Sequence, residues 1–134
     1  MEKIKSNIGE TVAIVIRNDF KKDGINFITE NSSPLQLGIN SYKKNSAIKT
    51  HVHQDRPITI SQFQEVIFIK SGKVTVKLYD SQKAFLKSTE LTAGDLIFFA
   101  SGGHGFEILE DTTIIEVKQG PYLGKSSDKV IIGE

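Results

Sequence analysis

The stretch from residue 63 to residue 79 constrains the fold more than any other. Val74, Val76 and Leu78 alternate with Lys73, Thr75, Lys77 and Tyr79, directly after a Ser71-Gly72 turn. Period-two alternation marks a strand with one buried face. The apolar run at 63–69 on the other side of the turn makes the pair a hairpin. Comparable runs, bounded by turn residues, recur along the chain. Strands are expected at 11–16, 25–29, 35–39, 47–53, 83–89, 96–100, 106–109, 112–118 and 130–132. The second of these is expected to pair with the first as a hairpin. No stretch of ten or more residues carries a 3.6-residue stripe. Many short strands separated by turns predict an all-β chain, an antiparallel barrel or sandwich.

With 134 residues and no linker-like break, residues 1–134 read as a single domain large enough for a real core. The net charge is +1, and the lysines are dispersed rather than gathered in a stripe. Nucleic acid is therefore not an expected partner. Cysteine is absent, which removes disulfides, thiolate ligands and a thiol nucleophile together. The first ten residues hold no apolar core of signal-peptide length, and no segment has the ~20 apolar residues of a membrane span. No membrane partner is expected, and a cytoplasmic location is. The sequence around Gly102, Gly103 and Gly105 lacks the lysine and the helix start of a phosphate loop.

The chain has three histidines, His51, His53 and His104. In an extended 47–53 segment, Lys49, His51 and His53 share one face while Ile48, Thr50 and Val52 share the other. Two imidazoles aimed at one point suit a metal ion. A carboxylate such as Glu65, opening the next strand, and His104, carried by a glycine-rich loop, would complete a shell of three nitrogens and one oxygen. Asp55 is a rival oxygen ligand, because an unbroken strand would place it on the histidine face. Pro57 is expected to end that strand early, which favours Glu65. The phenylalanines at 63, 68, 98, 99 and 106 read as core.

His51-x-His53, with six residues between Glu65 and Gly72, resembles the first motif of the cupin superfamily. The segment from Gly94-Asp95 through Gly103-His104 resembles its second motif. The likeness spans roughly residues 35–118, leaving N-terminal strands at 11–30 and a tail at 119–134. Eleven residues separate His53 from Glu65, more than the family usually has. Ala100 stands where proline is common, the second-motif loop is one residue short, and Ile108 lies near the place of a frequent asparagine. The resemblance implies a double-stranded β-helix (jelly-roll) barrel of antiparallel strands. It also implies a homodimer and one divalent transition metal (Fe, Mn, Ni, Co or Zn) held by His51, His53, Glu65 and His104.

Such an ion, with one or two open positions, polarises a carbonyl or acidifies bound water; iron would also permit oxygen chemistry. The expected function is a metal-dependent enzyme acting on a small sugar-like or oxo-acid molecule, an isomerase, epimerase or dioxygenase. The alternative is a metal-containing module that binds a small molecule without turnover, and an apo barrel kept for its surface is a third reading. Lys49 and Arg56 are candidate substrate-binding residues, Arg56 because its planar fork suits carboxylate or phosphate. Glu116, Lys118 and Tyr122 are either pocket residues or an ordinary surface pair and tail anchor.

Overall fold

The computed structural model describes residues 1–132. The chain divides into two compact units, one of Met1–Asn18 with Phe63–Glu134 and one of Asp19–Gln62. Nearly every regular element is a strand, and all pairings are antiparallel. Among the described residues no helix is long and apolar enough to cross a membrane.

The larger unit holds β1 (Glu2–Lys5), β2 (Thr11–Ile16), β5 (Glu65–Ser71), β6 (Lys73–Tyr79), β7 (Phe85–Thr92), β8 (Leu96–Phe99), β9 (Gly103–Ile108) and β10 (Thr113–Lys118), with a four-residue helix, α1 (Lys125–Asp128). Five strands form one sheet in the order β1-β2-β8-β5-β10, and three form another in the order β7-β6-β9. The apolar positions of the alternating strands meet between the sheets. Val15, Ile67, Ile69, Ile97 and Phe99 of the first sheet pack with Val74, Val76, Leu78 and Leu91 of the second. Burial of these β-branched and aromatic side chains is the main source of the fold's stability.

Both sheets are made from the same bent ribbons. β5 runs into β6 through Gly72 alone, and it pairs with β10 as β6 pairs with β9. The Leu109 N–H donates to the Lys73 carbonyl (2.9 Å), and the Lys73 N–H donates to Thr112 Oγ1 (3.2 Å). Ile69 latches the β7–β8 corner, donating to the Asp95 carbonyl (2.9 Å) and accepting from the Gly94 N–H (2.7 Å). Gly72 lies at φ +86°, and a Cβ there would run into the Asp111 carbonyl and Thr112. Left-handed backbone and a blocked site compound each other. Gly72→Ala is expected to cost about 3 kcal/mol, read as a fall in the denaturation midpoint. An unchanged midpoint would show that the corner relaxes freely.

The smaller unit contains β3 (Gly24–Phe27) and β4 (Gly38–Ser41), which pair only with each other. The hairpin expected between 11–16 and 25–29 therefore does not form: β2 pairs with β1 and β8 instead. Segment 47–53, expected as a strand, is irregular, and every residue in it is exposed. Its alternation finds no neighbouring strand, and without a ladder the pattern alone cannot hold a strand. Residues 130–132 are likewise irregular. No ring of hydrogen-bonded strands closes among the described residues: β1 and β10 end one sheet, and β7 and β9 end the other.

Candidate functional site

The register of the five-stranded sheet sets the site. Lys118 faces Glu65, Glu65 faces Phe99, Phe99 faces Ala13 and Ala13 faces Ile4. One cross-strand row thus passes from buried aliphatic residues to charged ones at the β10 edge. On β10 itself, period two places Ile114, Glu116 and Lys118 on one face, and all three line a cavity of about 940 Å³. That volume suits a small organic ligand.

His104 enters this cavity from the other sheet. It lies on β9, opposite Leu78 of β6, so it stands on a strand and not on the flexible loop its glycine neighbours led us to expect. Its Nε2 is 3.3 Å from Glu65 Oε2, the two side chains being 27% and 19% exposed. The ring stacks on Phe99, with centroids 3.8 Å apart and planes 13° apart, and Phe106 approaches edge-on at 5.7 Å. Phe99 and Phe106 thus pack into the core, as expected, while also fixing the imidazole. Burial pushes the Glu65 carboxyl up. The hydrogen bond and charge of His104, with smaller contributions from Glu116 and Lys118, outweigh it and hold Glu65 below its ordinary value.

Two ligands about 2.0–2.1 Å from a tetrahedral ion stand roughly 3.3 Å apart. The spacing of His104 Nε2 and Glu65 Oε2 therefore fits a shared cation as well as it fits a direct charge-assisted bond. Within the larger unit, no third histidine or carboxylate among the described residues joins them in a metal-type group. His51 and His53 belong to the smaller unit. They are exposed, and their rings stand 5.2 Å apart at 68°. His51 Nδ1 lies 2.8 Å from the Lys49 carbonyl. A carbonyl only accepts, so this contact keeps the proton on Nδ1 and leaves the Nε2 lone pair free for a metal. Lys49, Asp55 and Arg56 are exposed on the same irregular segment, so the shared face that made Lys49 and Asp55 candidates has no strand to define it.

Beyond the ligands expected from sequence, the cavity wall carries Lys77, Tyr79 and Asp128. Lys118 Nζ lies 3.2 Å from Glu116 Oε1 and 3.0 Å from Asp128 Oδ2, and 5.9 Å above the Tyr122 ring. Of the two readings open for Glu116 and Lys118, the pocket is where they stand. Asp128 of α1 gave no signal, because its place depends on how the irregular tail folds back. Asp128 and Glu116 together raise the Lys118 pKa, so the ammonium stays charged. Neither a family model, nor a curated protein, nor a solved structure matches this chain.

Proposed function

We propose that the chain is a metal-dependent enzyme of the cupin kind, acting on a small polar molecule in the cavity of the larger unit. The observation that carries this reading is the meeting of Glu65 and His104, from opposite sheets, on the wall of that cavity. The ribbons β5–β6, β7–β8 and β9–β10, each bent from one sheet into the other, support the jelly-roll part of the proposal. In this reading Glu65 and His104 would supply an oxygen and a nitrogen to one divalent transition ion. The ion when bound would act as a Lewis acid or acidify bound water.

The chain's own residues do the rest. Phe99 holds the His104 ring in plane and fixes the direction of its Nε2. Lys118 stands near Glu65 with a fixed positive charge to orient a polar ligand, and the Glu116 carboxylate beside them is placed to exchange protons with it. These ionisable groups beside the pair favour turnover over simple binding. Elemental analysis of protein purified without added metal is the test. About one equivalent of a first-row transition ion per chain is expected; a metal-free protein that also refuses added metal would overturn the reading.

A further inference from the structure

We propose that Lys118 is a carboxylate-binding subsite of this cavity and that Asp128, on the C-terminal tail, occupies it in the free protein as an internal stand-in for the ligand. The inference rests on the cavity being the ligand site and names the ligand class: a small molecule bearing a carboxylate.

Three observations carry it. First, the Lys118 ammonium stands on the cavity wall directly across from Glu65 on the neighbouring strand. A carboxylate bound there would place the remainder of its molecule beside the Glu65–His104 pair. Secondly, the partner that now holds Lys118 comes from outside the sheets. Asp128 Oδ2 lies 3.0 Å from Nζ with its side chain only 12% exposed, on a four-residue turn that follows an irregular stretch. Thirdly, the tail beyond it also lines the cavity, with Ile132 Cδ1 packed at Gly103, next to His104.

A carboxylate in that position is what an acidic ligand would offer. Exchanging one carboxylate for another leaves the charge around Lys118 unchanged, with Glu116 still 3.2 Å away. The exchange costs only the docking of a short tail segment, and the weakest-held parts of a fold are the ones that open at low cost. Ligand entry and tail release are then one event. While the tail is docked, apparent affinity is reduced by the fraction of molecules in which Lys118 is free.

The test uses the metal-stripped chain of residues 1–134, with malonate as probe and malonamide as its uncharged counterpart. Malonate binding is followed by calorimetry, and tail release by amide hydrogen exchange over residues 119–132. If Asp128 fills the subsite nine-tenths of the time, Asp128→Asn is expected to tighten malonate binding about tenfold. Ile132→Ala, which loosens the tail without touching a charge, should tighten it severalfold. Lys118→Met should abolish binding in every background, and malonamide should not bind. In the unsubstituted chain, malonate should speed exchange over the tail.

Equal or weaker malonate binding by Asp128→Asn, binding that survives Lys118→Met, or no binding by any variant would each overturn the proposal. Because no metal is present, these outcomes are separate from those that decide the metal reading. A subsite that behaves as expected in a chain that never takes up metal would uphold this inference and sink the other.

Discussion

Replacing Asp95 with alanine is expected to destabilise the larger unit by about 3 kcal/mol, lowering the melting temperature by about 10 °C. Asp95 is 4% exposed. Its Oδ2 accepts from Arg17 Nη1 (2.9 Å) and from the Thr92 N–H (3.0 Å), and its Oδ1 accepts from the Asn18 N–H (3.0 Å). One carboxylate thus closes the β7–β8 corner and fastens the end of β2 to it. Its removal leaves two backbone donors without their acceptor, and it leaves Arg17 with the Glu90 carbonyl (2.7 Å) and a longer contact to Thr89. Loss of partners for buried donors costs more than the bonds themselves contribute.

The same carboxylate fixes a pH dependence. Burial raises its pKa, but the Thr92 N–H, Arg17 and the Asn18 N–H together outweigh that effect and leave the folded-state value below the ordinary one. A depressed carboxyl adds stability that is complete above the unfolded value of about 4 and is lost as pH falls through the folded value. Acid unfolding of the native chain should therefore steepen below about pH 4. The Asp95→Asn variant should lack that component; an acid limb of the same slope in both proteins would contradict this role.

The second large effect is on the site. Glu65→Gln and His104→Ala are each expected to weaken metal binding at least about 100-fold. Both side chains are partly exposed at the cavity wall, so the fold should survive. Glu65→Gln keeps the volume and removes the charge. His104→Ala also removes the ring stacked on Phe99, and should cost about 1 kcal/mol of stability. The contrast separates the two roles. If both variants bind metal as the native chain does, the pair is a structural ion pair within the core.

The period-two pattern made β6 legible, because Val74, Val76 and Leu78 are buried and the residues between them are less so; β5, β8 and β10 were legible as short apolar runs bounded by turn residues. β1 escaped notice: Glu2, Lys3 and Lys5 surround a single buried residue, Ile4, and one apolar position defines no period. Segment 47–53 misled in the opposite direction. Its alternation is real, but Ile48 and Val52 are exposed, and a strand needs a neighbour more than it needs a pattern. His104 read as a loop residue because glycine flanks it, whereas pairing with β6 keeps that stretch extended. The meeting of Glu65 and His104 was foreseeable from residue type and motif spacing. The partnership of Lys118 with Asp128 was not, because it depends on a tail whose path no local propensity specifies.

The most direct test of the central claim is cobalt(II) titration of the metal-stripped chain, read by its visible absorption. It is run on the native protein and on the His51→Ala, His53→Ala, Glu65→Gln and His104→Ala variants. The account expects one equivalent bound by the native chain, with affinity reduced at least about 100-fold in Glu65→Gln and in His104→Ala. Binding that Glu65→Gln and His104→Ala leave intact, or that only the His51 and His53 variants lose, would contradict it.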